Sequence, residues 1–155
     1  MQVRKATEAD LDQYVGLART FHAASPVHNV IDFDPVGYAQ FYLSSLNNDS
    51  VGIWLAEVND KIVGICGAVA YPMYFNPTAL IVQELWWWLT PESRGSGAGK
   101  MMFNTIEDWA KDKNASALFM IALEDSRAKK MEHLYARSGF KPMERTFIKE
   151  VASWQ

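Results

Sequence analysis

Three glycines within five positions mark the segment of this sequence that is best suited to hold a phosphate. The segment spans residues 94–100 and reads Arg-Gly-Ser-Gly-Ala-Gly-Lys. It follows an apolar, aromatic-rich run (residues 80–89) and precedes a helical pattern that starts near Gly97. Glycine lets the backbone approach a ligand closely, and the N–H groups at a helix start attract anions. The segment therefore predicts a phosphate-binding loop, with a turn that merely joins strand to helix as the alternative.

Two common phosphate motifs do not fit this segment. A Walker A loop requires Gly at the position that Arg94 holds, and Ser or Thr at the position of Met101. A dinucleotide fingerprint requires a third Gly where Lys100 stands. The pattern that does fit is Arg-x-x-Gly-x-Gly, beginning at Arg94. It resembles the pyrophosphate-binding loop of the GCN5-related N-acetyltransferases, the GNAT family.

The order of predicted elements is also similar to that of this family. Local patterns predict strands at residues 3–6, 53–58, 61–71, 80–89, 117–123 and 145–151. They predict helices after Thr7, from Asp34-Pro35, from about Gly97 to Asn114, and over residues 126–138. The resemblance implies an α/β fold with a mixed sheet, the GNAT acyl-CoA N-acyltransferase fold. In that fold a mostly antiparallel central sheet ends in a parallel, splayed pair of strands and is flanked by helices.

Short-range signals support several of these boundaries. Thr7 and Asp10 are spaced as in a capping box, and Asn59-Asp60 is suited to a two-residue hairpin turn. Gly139 is placed to end the last helix. The uninterrupted apolar run at 117–123 is typical of a strand that is buried on both faces.

Composition limits the classes of protein to consider. The chain has 155 residues and a formal charge of −3, which predicts one domain spanning residues 1–155. No apolar run is long enough to span a membrane, and the first ten residues lack the apolar core of a signal peptide. There is no basic stripe with interleaved aromatic residues, so nucleic acid is not an expected ligand. The single cysteine, Cys66, lies within a predicted strand and indicates a buried thiol and a cytoplasmic location.

Tyr135 is the residue that the resemblance makes the general acid. It stands in Leu134-Tyr135-Ala136-Arg137-Ser138-Gly139-Phe140, which looks like the family's Leu-Tyr-x-x-x-Gly-Phe ending of the last helix. There the phenol faces the cofactor sulfur and can protonate the departing thiolate. The sequence departs from the family at Ala128, where members often have an Asn that contacts the cofactor. The alternative is that Tyr135 only packs, because it lies on the apolar face of its helix.

Glu84 is the residue that we expect to accept the proton of the amine. It lies in the strand before the loop, where several family members hold a carboxylate with this role. Strand alternation predicts that Glu84, Trp86 and Trp88 share one face. A carboxylate beside two indoles would attract a cationic amine, so the face and the mild acidity of the chain favour a cationic small molecule. The alternative is that Glu84 lies at the solvent edge and the tryptophans are ordinary strand residues.

The resemblance implies acetyl-CoA as the co-substrate. Its pyrophosphate would lie on the N–H groups of the loop, and its pantetheine arm along the end of the preceding strand. The residues implied in cofactor binding are Trp88, Leu89, Thr90, Arg94, Gly95, Ser96, Gly97, Ala98, Gly99 and Lys100. Arg94 and Lys100 would add positive charge there, although either could equally be a solvated surface side chain.

The loop at residues 23–33 borders the acceptor pocket in this family. His28 is the residue of this loop that we expect to bind substrate, together with Glu84 and Trp86, although a surface histidine is the commoner case. The three histidines of the chain are scattered and show no ligand spacing, so no metal site is expected.

The leading hypothesis is therefore an acetyl-CoA-dependent N-acetyltransferase that acts on a primary amine of a small molecule or a protein. A non-catalytic CoA-binding sensor or interaction module of the same fold is one alternative. An N-acyltransferase with another acyl-CoA, such as succinyl-CoA, is a second. Family members are often dimers, so the resemblance also allows a homodimer.

Overall fold

The computed structural model describes residues 1–125 and 127–151. They form a five-stranded sheet with helices packed on both of its faces. The strands are β1 (Gln2–Lys5), β2 (Val51–Val58), β3 (Lys61–Met73), β4 (Asn76–Leu89) and β5 (Ala117–Phe119). The helices are α1 (Leu11–Ala24), α2 (Pro35–Leu46), α3 (Ala98–Asp112) and α4 (Ala128–Arg137).

The strands lie in the sheet in the order of the sequence, from β1 to β5. Neighbours are antiparallel as far as β4, and β4 pairs with β5 in parallel. Asn59 and Asp60 join β2 to β3 with φ angles of 51° and 60°, as a two-residue hairpin turn requires. The predicted mixed sheet and the predicted hairpin are both confirmed.

Strand alternation divides the core into two layers. On one face, α1 and α2 pack against the sheet through Tyr14, Ala18 and Tyr42. On the other face, α3 contributes Ala98, Met102, Ile106 and Ala110. Full burial of one large apolar side chain contributes about 1.5–3 kcal/mol, so these two layers stabilise the sheet from both sides. Cys66 is a buried, free thiol in β3, as predicted.

A cluster of charged groups ties β1 to the start of α1. Asp10 accepts hydrogen bonds from the Arg4 guanidinium at 2.7 and 2.8 Å, and from the backbone N–H and hydroxyl of Thr7 at 2.8 and 2.7 Å. Arg4 also donates to Glu57 of β2 at 2.8 Å. The predicted capping box is therefore present, although a 3-10 turn (Glu8–Asp10) separates Thr7 from α1. The bonds from Arg4, assisted by those from Thr7, hold the pKa of Asp10 well below its usual value despite burial.

The C-terminal third corrects three predictions. The strand predicted at 117–123 is limited to Ala117–Phe119 and is only half-buried. The last helix covers Ala128–Arg137, and Ser126 of its predicted range lies outside the described residues. The strand predicted at 145–151 is wrong, since no strand forms there and Phe147 is 90% exposed. A locally suitable sequence forms a strand only where a neighbouring strand pairs with it, and the sheet ends at β5.

No helix of the described residues combines the length and the apolar character needed to cross a membrane.

Candidate active site

β4 continues past its pairing with β5, and we call the edge of β4 that β5 leaves unpaired (residues 84–89) the cleft. The two strands pair only between Ile81–Gln83 and Ala117–Phe119, so the described part of β5 leaves the last residues of β4 without a partner on that side. Thr90 donates its N–H to Val63 of β3 at 2.8 Å. Because successive residues of a strand face opposite neighbours, the backbone of Leu89 is turned toward the open edge. Of the three residues expected to meet the pantetheine arm, Leu89 is therefore the one whose backbone faces the cleft.

A β-bulge lies in β4 beside this cleft. Glu84 pairs with Ala68 of β3, Trp86 pairs with the adjacent Gly67, and Leu85 is the extra residue. Adjacent residues of a strand point to opposite faces, so the bulge places Glu84 and Trp86 on different sides of the sheet. The prediction that Glu84 shares one face with Trp86 and Trp88 is therefore wrong. A bulge shifts the alternation by one residue, and unbroken alternation cannot anticipate it.

Trp86 is held within the layer beneath α1 and α2. A Cβ on Gly67 would lie 2.3 Å from the Trp86 ring, so only glycine leaves room for the indole at that point. The indole N–H donates to the Tyr14 hydroxyl at 2.6 Å. Rings of Tyr38 and Phe41 meet Trp86 edge-on, with centroids 6.2 and 5.9 Å away. The arrangement makes Trp86 part of an aromatic core, and its expected contact with substrate stays a prediction.

Glu84 is a buried carboxyl group with one hydrogen-bond donor. It is 4% exposed, and its Oε2 accepts the backbone N–H of Ile121 at 2.9 Å. Burial raises its pKa to about 7, and the bond from Ile121 offsets only part of that rise. A carboxyl with this pKa can both take up and release a proton near neutral pH.

Tyr135, which lies in α4, also forms a hydrogen bond with Ile121. Its hydroxyl donates to the carbonyl of Ile121 at 2.8 Å, and the side chain is 8% exposed. The ring packs near those of Phe103 and Phe140, with centroids 6.4 and 5.7 Å away. Burial, with a smaller effect from the Glu84 carboxylate, raises the pKa of Tyr135 above its usual value. The phenol therefore keeps its proton at neutral pH.

Ile121 is the residue of the candidate site that sequence reasoning missed. It brings Glu84 and Tyr135 together because its N–H bonds to one and its carbonyl to the other. Its contribution comes from the backbone, so no residue type at position 121 could have signalled it. The two side chains that the sequence singled out for proton transfer thus converge just past the end of β5.

The glycine-rich loop presents free N–H groups at the start of α3. Gly95 and Gly97 have φ angles of 88° and 95°, a region that side chains other than glycine's rarely adopt. The backbone N–H groups of Gly97, Gly99 and Lys100 make no hydrogen bond with any described residue. Free N–H groups at a helix start suit the oxygens of a pyrophosphate, so this loop fits the phosphate end of acetyl-CoA.

Each of the two cationic side chains of the loop lies over an aromatic ring. The Lys100 ammonium lies 4.6 Å from the centroid of Phe103. The Arg94 guanidinium lies 4.9 Å from that of Trp88, and its Nε donates to the carbonyl of Leu89 at 3.2 Å. The hydroxyl of Ser96 accepts the N–H of Ala98 at 3.3 Å, which stabilises the turn into the helix.

The two histidines in or beside the loop at residues 23–33 form hydrogen bonds within that loop. His28 lies exposed on a 3-10 turn (Pro26–Asn29), with Nδ1 2.6 Å from the carbonyl of Ser25. Nε2 of His22 lies 2.7 Å from the carbonyl of Ile31. Neither lies in the contacts that join Glu84 to Tyr135, and the role of His28 in substrate binding stays a prediction. Within residues 1–125 and 127–151, no three metal-binding side chains are grouped to hold an ion.

Comparison with known proteins identifies the family. The model of the Acetyltransferase (GNAT) family matches residues 17–140, which is most of the chain. The protein therefore belongs to the GNAT acetyltransferase family, and acetyl-CoA is the acetyl donor that goes with that membership. No curated protein matches the chain.

Solved structures of distant sequence share the fold. A predicted acetyltransferase from Clostridium acetobutylicum, solved with acetyl-CoA, has a TM-score of 0.75 at 20% identity, over 98% of this chain and 97% of that chain. Ribosomal-protein-alanine N-acetyltransferase from Brucella melitensis has a TM-score of 0.72 at 15% identity, over 97% and 99%. An aminoglycoside antibiotic 6'-N-acetyltransferase from Acinetobacter haemolyticus has 0.72 at 19%, over 97% and 99%. At such identities the likeness concerns the fold and not the acceptor.

Proposed function

We propose that the protein transfers the acetyl group of acetyl-CoA to a primary amine, with Glu84 accepting a proton and Tyr135 donating one. The observation that carries the proposal is the convergence of both side chains on the backbone of Ile121, beside the cleft. The free N–H groups of the glycine-rich loop support acetyl-CoA as the donor.

Three proton transfers accompany the reaction. An alkyl amine has a pKa near ~10.4, so most of it is protonated at neutral pH and it must lose a proton before it can attack. Glu84, directly or through water, takes that proton. The amine nitrogen then forms a bond to the thioester carbon, and the carbon–sulfur bond breaks. The leaving thiolate takes its proton from Tyr135, whose hydroxyl turns from the Ile121 carbonyl toward the sulfur, and the second proton that the nitrogen loses as the amide forms restores the phenol.

Release of free thiol from acetyl-CoA across a panel of primary amines tests this proposal, and Tyr135→Phe tests the acid. The variant keeps the ring and loses only the hydroxyl, so we expect kcat to fall about 10²-fold while CoA affinity is unchanged. Calorimetry measures the affinity. Tyr74→Phe, at an exposed position in the turn between β3 and β4, is the matched control. Wild-type kcat in Tyr135→Phe, with chemistry rate-limiting, would make Tyr135 a packing residue. The same assay with succinyl-CoA establishes the preferred acyl group.

Gly97→Val tests the cofactor loop. The φ angle of 95° is strained for valine, and its side chain would obstruct the N–H groups, so CoA binding should weaken on the order of 10-fold or more. Gly16→Val places the same side chain in α1, where a Cβ meets no neighbour within 4 Å. Unchanged CoA affinity in a folded Gly97→Val protein would remove the loop from the binding site.

A further inference from the structure

The backbone of β4 does not by itself fix the position of the bulge at Leu85. No residue from Glu84 to Trp86 is glycine or proline, and none has a positive φ angle. A glycine in the left-handed region fixes one common class of bulge, and it is missing here. A shift of one residue in the pairing of a strand turns its side chains to the opposite face. Side-chain contacts must therefore determine that Glu84 lies on one face and Trp86 on the other.

The indole of Trp86 is held from two sides at the bulge. Trp86 pairs with Gly67 of β3, and the missing side chain of Gly67 leaves the space in which the ring lies. The indole N–H donates to the hydroxyl of Tyr14 at 2.6 Å, and this hydroxyl donates to the carbonyl of Cys66 at 3.4 Å. We call Tyr14, Gly67 and Trp86 the indole clamp. Its hydroxyl joins β3 and β4 beside the extra residue, and the side chain that carries it is fully buried.

The same bulge determines the face on which Glu84 lies. Glu84 pairs with Ala68, the neighbour of Gly67, so its side chain turns to the face that α3 covers. On that face its carboxylate meets the N–H of Ile121. If the extra residue moved to the other side of Glu84, the carboxyl would turn to the face of α1 and α2, away from Ile121. The positions of the indole and of the carboxyl are therefore two results of one bulge.

We propose that Tyr14 is a positioning residue for the acetyl transfer. Through the indole clamp it keeps the bulge at Leu85, and the bulge holds the carboxyl of Glu84 where it can accept the proton of the amine. Tyr14 lies in the layer of α1 and α2, on the opposite face of the sheet, and takes no part in the proton transfer itself. The inference rests on the proposed role of Glu84 as the base, and it adds a residue on which that role depends.

Tyr14→Phe tests this inference, with Tyr42→Phe as the matched control. The two tyrosines are neighbours in one layer, with ring centroids 4.7 Å apart, and both are fully buried. Each hydroxyl donates to a backbone carbonyl, but that of Tyr42 meets Thr7 at 2.6 Å, away from the bulge. Loss of either hydroxyl should lower the urea concentration at which the protein unfolds. Only Tyr14→Phe also leaves the indole N–H of Trp86 without its acceptor.

We expect Tyr14→Phe to lower kcat for the amine on the order of 10-fold, because the base is misplaced. The inflection of kcat/KM near pH 7 should move down toward 4.5, the ordinary pKa of the carboxyl, as water reaches a displaced Glu84. Tyr42→Phe should keep the wild-type kcat and inflection. In a protein that already carries Glu84→Gln, Tyr14→Phe should lower kcat little further, because both changes act on one group.

Trp86→Phe tests the indole clamp from the other end of the bond and serves also if Tyr14→Phe does not fold. It removes the N–H and keeps Tyr14, so kcat and the inflection should change in the same direction. Tyr14→Phe should add little to Trp86→Phe if the hydroxyl acts through the indole. Gly67→Ala, whose Cβ would lie 2.3 Å from the ring, should lower kcat at least as much.

The wild-type kcat with an unmoved inflection in a folded Tyr14→Phe protein would overturn the inference, while a loss of activity in Glu84→Gln would still support the base. Equal falls of kcat in Tyr14→Phe and Tyr42→Phe, with both inflections unmoved, would overturn it too, because they would reflect lower stability alone. Unchanged kcat in Glu84→Gln would overturn the proposed base and this inference together.

Discussion

Two carboxyl side chains are buried among the residues that the structure describes, and their surroundings move their pKa values in opposite directions. Asp10 is 6% exposed and Glu84 is 4% exposed. Asp10 accepts four hydrogen bonds, two of them from the Arg4 guanidinium, and its pKa is lowered. Glu84 accepts one bond, from a neutral N–H, and its pKa is raised to about 7. Burial raises the pKa of Glu84, whose single donor is neutral, whereas the bonds from Arg4 and Thr7 outweigh burial at Asp10.

The difference separates a structural carboxylate from the one that we propose transfers a proton. Asp10 stays ionised throughout the neutral range because its charge is matched where it lies, and it fastens β1 to α1. Glu84 lies beside the cleft with its charge poorly compensated, so protonation near neutral pH costs little. Groups with such pKa values are common at sites of proton transfer.

The largest effect should come from removing the reactive carboxyl. Glu84→Gln keeps the size of the side chain and loses the base, so kcat/KM near neutral pH should fall on the order of 10³-fold. The wild-type profile should rise as Glu84 ionises near pH 7. The variant should lack that rise and recover only as the free amine deprotonates, near pH ~10.4. Steady-state thiol release from pH 5.5 to 10 measures both curves.

Asp10→Asn is the contrasting control for that experiment. Its kcat/KM profile should keep the inflection near pH 7, and its kcat should be unchanged. A raised KM with unchanged kcat in Glu84→Gln would make Glu84 a binding group. If Glu84→Gln keeps the wild-type kcat and KM at every pH, Glu84 takes no part in the reaction.

The structural carboxylate should instead affect folding. Asp10→Asn leaves Arg4 without its paired acceptor, and the free energy of unfolding at pH 7 should fall by about 3 kcal/mol. The folded pKa of Asp10 is below 3.8, so its contribution is present above that pH and is lost as the pH falls further. Urea unfolding at pH 7 and at pH 3 should show the difference between variant and wild type shrinking. Asp108→Asn removes an exposed ion pair with Lys111 and should change stability much less.

The last predicted effect is on the stability of Glu84→Gln. It is opposite in sign to that of Asp10→Asn, because this substitution should stabilise the folded protein. The folded pKa of Glu84 is raised, so its contribution is fully present below pH 4.5 and is lost as the pH rises to about 7. Glu84→Gln removes this loss and should be more stable than the wild type by about 3 kcal/mol at pH 8. Unfolding at pH 8 and at pH 5 should show the gain only at the higher pH. An equal gain at both values would mean that the pKa of Glu84 does not change on folding.

The main elements were predictable because local chemistry decides them. Asn59-Asp60 tolerates the positive φ angles of its turn, Pro35 fits the first position of α2, and Gly139 has the φ of 86° that ends α4. Periodicity also predicted that Tyr135 lies on the apolar face of its helix, and that side chain is buried. Each of these features depends on a few consecutive residues.

Local sequence patterns could not predict which face of the sheet holds Glu84 or which residues Arg127 contacts. The bulge at Leu85 lies in a run of apolar and aromatic residues, where no glycine or proline marks a break in the pleat. Arg127 immediately precedes α4, and its guanidinium lies over the ring of Trp88 in β4, which is distant in sequence. The strand predicted at 145–151 is the opposite case, since a locally suitable pattern lacks a neighbouring strand with which to pair.

The bonding at Ile121 offers a means of observation. Its side chain is 41% exposed and takes no part in the bonds to Glu84 and Tyr135. Spectroscopic labels in the backbone of this residue leave the chemistry intact. A nitrogen-15 label at its amide would follow the protonation of Glu84, and a carbon-13 label at its carbonyl would follow the hydroxyl of Tyr135. Magnetic resonance at one position would then record, during a single titration, whether the acid and the base change state together or in turn.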